Sequence, residues 1–595
     1  MSVPNALKLP STPTERAERL WLWFVVLAGA ALRLAELWMP LTHDELSAIV
    51  RLRYDTLGDV LTYGVKLGDT HPAGMQLLLW LWSQVVGVSA PLLRLPFTLL
   101  SIASIPLIYS IGRRWFGHHA GLAAATVLAF SQYSVYYAML IRPYNIGLVL
   151  VLAMLHFWTR LCVEHRDGWG HVAGFALCAA ACAYTHYFCG LTAALLGVAG
   201  LVVVPRRLLW HYVAACTLAI LLFVPHLGIT LHHLFVEQGV GGWLAKPEPV
   251  FVWRYLRYLT HFSWLALAVL MVAWAAMADW SLLRVRWPLA TVAASVFVVP
   301  FAAGYIYSRA VDPVLQYSVL IFSWPFLVLA ASALVGAKRR WRSDVAIAAC
   351  GVVLGLTLFT SRRNYDVAYR EYIETAASLA TEARARYGAA NVELAMQISP
   401  DMMEYYDSAT AHDMRNPDNG RKDYAVVCKV FDDVLAAKMR EYPYVVEARM
   451  CTCTPVLLLS RHPADGHPYP TRLLKTASAT VDDEYTMLLD TLAADIADNR
   501  HFAISTVAWG GDTSMMLVME TSVRGHCVDW RAIPMGDTVY LPLCQNLNIK
   551  SRAELGMSRI KVFVWSPRRR DGTPVNCRIT TAEGNPYQYA VTEEI

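Results

Sequence analysis

Charge is scarce in this 595-residue chain: Asp, Glu, Lys and Arg make up 16% of it while hydrophobic residues reach 56%. That balance is too apolar for an ordinary soluble enzyme. The scarcity is uneven. After residue 360 no run offers the ~20 apolar residues that a bilayer span needs, whereas such runs crowd residues 20–359. A cleavable signal peptide is lacking too, because the first apolar run follows a polar segment at residues 12–19 and continues past Leu32, beyond the length of a signal core. It reads as a retained first span. The apolar part has no Cys/His spacing suited to zinc and no internal repeat of the transporter kind. Most of its basic residues sit between apolar spans rather than on a soluble face, which excludes nucleic-acid binding.

Charge also divides at the same place. Residues 1–360 hold 25 Lys and Arg against 15 Asp and Glu, and residues 361–595 hold 26 against 31. Eleven spans are expected near 20–40, 92–112, 119–138, 143–160, 172–186, 187–204, 210–228, 259–279, 288–306, 315–336 and 344–360. Alternate connections carry Arg113 and Arg114, Arg160 and Arg166, Arg206 and Arg207, Arg284 and Arg286, and then Lys338, Arg339, Arg340 and Arg342. The positive-inside rule makes these five cytoplasmic. Counting the apolar run at 72–88 as a span would reverse that parity, so it reads as a re-entrant or interfacial helix. Residues after 360 are then expected on the outer face.

Polar side chains near membrane depth are costly and call for a reason. The first outer loop has most of them: Thr42-His43-Asp44-Glu45 at its start and Gly68-Asp69-Thr70-His71-Pro72 at its end. Adjacent carboxylates can supply a general base and a group that tunes it or holds an acceptor; they equally suit the first turn of a helix. Further outer-face candidates are Arg94, Arg142, Tyr144, His186, Tyr187, Arg309, Gln316 and Tyr317. An interfacial Arg can clamp a phosphate bidentately, or snorkel to headgroups and pair with a loop carboxylate. Residues 230–257, with His232, His233, Gly239, Gly241, Gly242, Trp243 and Pro247, have the composition of a lid or of an ordinary loop.

In order and spacing, Asp44-Glu45, His71-Pro72, Arg94-Leu95-Pro96, Arg142-Pro143-Tyr144 and Tyr184-Thr185-His186-Tyr187-Phe188 resemble the GT-C glycosyltransferases. The likeness is to the family 39 protein mannosyltransferases and their bacterial aminoarabinose-transferase relatives, over about residues 20–335. It implies a polytopic helical membrane bundle of GT-C type. It also implies an inverting transfer of sugar from a polyprenyl-phosphate donor to an acceptor hydroxyl at the outer face of the bacterial cytoplasmic membrane. Asp44 becomes the catalytic base and Glu45 its acceptor-binding or electrostatic partner. Asp69 and His71 line the same cavity, and Arg142, Tyr144 and His186 serve the donor. The acceptor is a glycan, a glycolipid or a protein. No cofactor is required, and a divalent cation stays open. The sequence departs from the family pattern at Ala73, at Leu140-Ile141 and at Gln316-Tyr317, which leaves Arg309 as a substitute phosphate contact.

The soluble remainder divides at about residue 478. Residues 361–478 combine an amphipathic helix near 365–387 with apolar strands at 392–398, 424–428 and 455–460, an α/β layer. Residues 479–595 carry strands at 501–509, 514–520, 559–565 and 587–591, a β-sandwich of jelly-roll type, on which Trp530 or Tyr587 offers a glycan platform. Its outer location permits disulfides among Cys428, Cys451, Cys453, Cys527, Cys544 and Cys577, while the six bundle cysteines read as buried apolar residues. Two rival classes remain at this level, a transporter or lipid-carrier flippase and a membrane-tethered glycan-binding protein.

Overall fold

The computed structural model describes residues 13–582 apart from 237–243, 245, 337–339, 366–370, 419, 431–433, 435–436, 439–440, 452–453, 469–471, 496–501, 537, 546–555 and 568–571. The chain forms two compact units, Met1–Tyr369 and Arg370–Ile595.

The first unit is helical. It begins with α1 (Pro13–Leu34), α2 (His43–Val50), a one-turn α3 (Leu57–Asp59), a π-helical stretch Val60–Lys66 and α4 (Gly74–Val86). Next come α5 (Ala90–Phe116), α6 (His118–Phe130), α7 (Gln132–Met139), α8 (Pro143–Trp158), α9 (Trp169–Thr185), α10 (Tyr187–Val203), α11 (Leu209–Phe223) and α12 (Leu227–Phe235). The unit closes with α13 (Phe251–Leu259), α14 (Trp264–Met277), α15 (Leu283–Ala310), α16 (Trp324–Ser332) and α17 (Arg340–Thr360). Among the described residues five helices are long and apolar enough to cross a membrane, or six if α13 and α14, bent by 79° at their junction, count as one. The protein is a multi-pass membrane protein.

The expected eleven spans are not all met by single helices, for identifiable reasons. The run at 119–138 breaks at Ser131 into α6 and α7, and the run at 315–336 opens with the 3-10 turn Ser318–Phe322. Helices α9 and α10 have 17 residues each. Helix α1 carries Glu18, Arg19 and Arg33. Close packing depends on small residues: a Cβ on Gly121 would lie 2.6 Å from the Tyr109 carbonyl oxygen, and one on Gly112 would lie 2.9 Å from the Gly121 Cα. Backbones of α5 and α6 meet there, as membrane helices do at glycine. Of the bundle cysteines, Cys162, Cys182, Cys189 and Cys350 are buried, and Cys178 and Cys216 half-buried.

In the second unit α18 (Tyr372–Tyr387) precedes a five-stranded mixed sheet made of β1 (Val392–Met396), β2 (Tyr424–Cys428), β3 (Tyr444–Cys451), β4 (Thr454–Ser460) and β5 (His467–Pro468). The order is β1-β2-β4-β3-β5, with only β1 and β2 parallel among these pairings. Eight more strands follow: β6 (Arg472–Val481), β7 (Tyr485–Leu492), β8 (Phe502–Trp509), β9 (Met516–Val523), β10 (His526–Pro534), β11 (Thr538–Gln545), β12 (Ser558–Trp565) and β13 (Thr573–Ala582). They form two antiparallel sheets, β10-β9-β12-β7 and β11-β8-β13-β6. Leu488, Leu517 and Ile560 from one and Val481, Ile504 and Ile579 from the other share a single apolar core. Strand β6 opens this pair of sheets seven residues ahead of 479. Trp530 is exposed on β10; the expected strand 587–591 with Tyr587 lies outside the described residues.

Candidate active site

The two neighbouring carboxylates of the first loop part company at the start of α2. Thr42 caps the helix, its hydroxyl accepting from the Glu45 N–H while the Glu45 carboxylate accepts from the Thr42 N–H at 3.0 Å, a capping box. Glu45 is fully buried. Arg94 of α5, equally buried, donates to both of its oxygens at 2.8 and 2.7 Å and also to the carbonyls of Leu37, Met39 and Pro40. The Ile141 N–H approaches the same carboxylate at 3.4 Å. Arg94 thus pairs with a loop carboxylate, one of the readings open to an interfacial Arg, and pins the loop with donors that all meet protein acceptors. Glu45, read from sequence as a partner in the chemistry, is the buried counter-charge of that pin. Asp44, one residue earlier, is exposed.

The far end of the same loop supplies a second pair. Asp69 accepts from Arg51 at 2.7 Å through one oxygen, and from the His71 ring Nδ1 at 2.8 Å and the Thr70 N–H at 2.8 Å through the other. Arg51 also donates to the Gly68 carbonyl at 2.7 Å. Burial raises the Asp69 carboxyl, but the charges of His71, Arg51 and Arg142 outweigh it and hold the group well below the usual carboxylate range. With Nδ1 turned to Asp69, the His71 ring presents Nε2 away from that carboxylate.

Around this pair gather groups from four helices. Residue 142 precedes a proline and is extended, which starts α8 at Pro143 and turns the Arg142 side chain back toward α2. Its guanidinium meets the Ser47 hydroxyl at 3.4 Å, and its electrostatic partners include Asp69, Asp44 and Tyr144. Its Nε is buried without a hydrogen-bond partner. The His186 ring caps α10, accepting the Phe188 N–H through Nδ1 at 3.1 Å, and lies 5.2 Å from the His71 ring, 6.2 Å from Tyr144 and 5.0 Å from Phe322. Tyr187 faces elsewhere, its hydroxyl 2.8 Å from His233 Nδ1, while His233 Nε2 reaches the Val65 carbonyl at 3.2 Å.

Asp44, Asp69, His71, Arg142, Tyr144 and His186 thus come together. Arg309 and Tyr317 do not join them in any described contact. Arg309 is exposed and donates to the Pro247 carbonyl at 3.3 Å. Tyr317 stacks on Tyr258 at 4.7 Å, within the aromatic cluster of α13. The candidate lid at 230–257 begins and ends in helix, as α12 and α13; Gly239, Gly241, Gly242 and Trp243 lie outside the described residues. Sequence reasoning missed Arg51, although it sits in the same loop as Asp69. It also missed Phe322 and Ser47. No group of three His, Cys, Asp or Glu side chains among the described residues is arranged to hold a metal ion.

Residues 70–229 match the family model for dolichyl-phosphate-mannose-protein mannosyltransferase. The family resemblance holds over that stretch. The mannosyltransferase-like segment contains His71, Arg142, Tyr144 and His186 and begins one residue after Asp69. No curated protein matches the chain by sequence. Similar solved structures include ArnT from Cupriavidus metallidurans bound to undecaprenyl phosphate, at 13% identity and TM-score 0.49, covering 75% of this chain and 98% of that one. The apo form of ArnT gives 12% identity and TM-score 0.48, covering 76% and 100%. The arabinofuranosyltransferase AftD from Mycobacteria gives 11% identity and TM-score 0.42, covering 95% of this chain and 59% of that one.

Proposed function

We propose that the protein transfers a sugar from a polyprenyl-phosphate carrier to an acceptor hydroxyl at the outer face of the bacterial cytoplasmic membrane. The observation that carries this reading is Arg142: 8% exposed, close to Asp44, Asp69 and Tyr144, and with a buried Nε that lacks an acceptor. An unsatisfied guanidinium donor beside an exposed carboxylate is what a departing phosphate and an incoming hydroxyl require. The mannosyltransferase-like segment around it supports the same reading.

In the proposed reaction Asp44 accepts the proton of the acceptor hydroxyl, whose oxygen forms the new bond to the anomeric carbon. The carbon–oxygen bond to the lipid phosphate breaks from the opposite face, inverting the centre, and the phosphate keeps the electron pair. A phosphate is already a good leaving group, so the residues chiefly place the base and stabilise developing charge. Arg142 faces that charge, and Asp69 holds His71 in one orientation beside it. Glu45 acts on the reaction only by fixing the turn of α2 that carries Asp44.

Transfer of labelled sugar from a polyprenyl-phosphate donor in membranes tests this. Asp44→Asn is expected to lower transfer by about 10²-fold or more, the contribution of a positioned base, with the unfolding midpoint unchanged. Transfer at the wild-type rate in that variant removes Asp44 from the role.

A further inference from the structure

A second cavity lies on the other side of α13. It has a volume of about 460 Å³, within the ~300–1,000 Å³ typical of ligand sites. It opens where α13 and α14 diverge by 79°. His261 and Phe262 make that corner with φ of 56° and 52°, a region side chains other than glycine seldom adopt. The corner is locked: the His261 ring accepts the Gln132 N–H at 2.8 Å and pairs with the Thr357 hydroxyl at 2.9 Å. The cavity is a built feature of the bundle.

Its walls are hydrocarbon and indole, with Leu267, Leu270 and Trp274 of α14 facing Val127 of α6 and Leu327 of α16. The charged residue in its lining is Arg257. That guanidinium stacks on Trp264 at 3.7 Å and donates to the Phe262 carbonyl, yet its other terminal nitrogen is buried without a partner. Leaving such donors unmet is costly. An unmet guanidinium nitrogen at one end of an apolar chamber matches an anionic headgroup above a hydrocarbon tail.

We infer that this cavity binds an anionic phospholipid, one acyl chain lying among Leu267, Leu270, Val127 and Leu327 and the phosphate resting on Arg257. The occupant is distinct from the polyprenyl donor of the proposed function. Helix α13 turns Trp253, Leu256, Arg257 and Thr260 to the cavity and Tyr255 and Tyr258 the opposite way. Those two rings lie 6.2 and 5.2 Å from Tyr133 and 5.6 and 4.7 Å from Tyr317. A wall of tyrosines therefore stands on the face of α13 turned away from this chamber. A lipid held here braces the bent helix pair from behind that wall.

The test loads full-length protein in detergent with phosphatidylglycerol or phosphatidylcholine and counts retained lipid by native mass spectrometry. One phosphatidylglycerol per chain is expected, with at least tenfold less phosphatidylcholine. Arg257→Gln lowers phosphatidylglycerol retention at least tenfold, Arg257→Lys restores part of it, and Ala331→Trp blocks the chamber from α16. Should Ala331→Trp fail to fold, Val127→Phe obstructs it from α6. Wild-type retention in both the charge and the blocking variant overturns the inference, as does equal retention of the two lipids. Displacement of phosphatidylglycerol by an equimolar polyprenyl phosphate overturns it too, by making the chamber part of the donor site. None of these readouts depends on sugar transfer, so the inference and the proposed function fail separately.

Discussion

At Asp44 and Glu45 a single helical turn sends two carboxylates into opposite environments, one exposed and the other sealed against Arg94. A buried pair of this kind stabilises little against an apolar pair of the same shape, but removing one member strands a charge. Arg94→Leu is therefore expected to cost about 3–5 kcal/mol and to lower the unfolding midpoint in detergent well below that of Asp44→Asn, which removes no buried contact. Comparing the two melts separates the carboxylate that holds the scaffold from the one assigned to the proposed reaction. The sequence placed both residues in the right loop, yet it could not divide their roles, because that division depends on a guanidinium 49 residues away. His71 and Asp69 were legible for the opposite reason: their bond spans two residues, and proximity in sequence is proximity in space.

Among the elements, the break between α6 and α7 was the least legible. Residues 119–138 form one continuous apolar run, and nothing local announces a turn at Ser131. The bonds a continuous helix would have made are replaced from afar. Gln132 N–H goes to His261, and the carbonyls of Leu128 and Ala129 accept from Arg33 at 2.9 Å each. Without those partners the Gln132 N–H and the Ala129 carbonyl would be orphaned, while the Leu128 carbonyl would keep only the Ser134 hydroxyl. The crossing of α5 and α6 carries its own prediction. Gly121→Leu drives a side chain into the backbone of Tyr109 and Arg113, so folded yield should fall severalfold by detergent size-exclusion. Gly197→Leu, at a position with open space around it, should leave the yield unchanged and serves as the control.

For the whole molecule, composition separated an apolar bundle from a soluble remainder near residue 360, and the two compact units meet in sequence between Tyr369 and Arg370. Strands of the second unit were read where apolar residues run together, as in β2 and β4, and missed where they are diluted. Strand β6 reads Arg-Leu-Leu-Lys-Thr-Ala-Ser-Ala-Thr-Val and gains its place by pairing with β13, a segment about a hundred residues further on. The basic connections predict on which side of the bilayer the second unit lies. Protease added to intact spheroplasts should release a fragment from residues after about 370, while inside-out vesicles should protect it; the reverse pattern would put Asp44 and Arg142 on the cytoplasmic side and undo the proposed reaction.

The first turn of α4 is gripped from two directions: His226 accepts the Ala73 N–H at 3.0 Å, and Gly74 lies so close to the Tyr184 carbonyl that a Cβ there would stand 2.7 Å away. The helices behind it thus set where Pro72, and with it His71 and Asp69, must lie, leaving the exposed stretch at residues 55–58 free of that duty. This stretch is accordingly a natural insertion point. A short epitope tag placed between Asp55 and Leu57 should preserve the proposed sugar transfer to within about twofold, as exposed loop tips tolerate added chain, and would put an antibody handle on the same loop as Asp44 and Asp69; an inactive but well-folded insertion variant would instead show that the loop helps to shape the site.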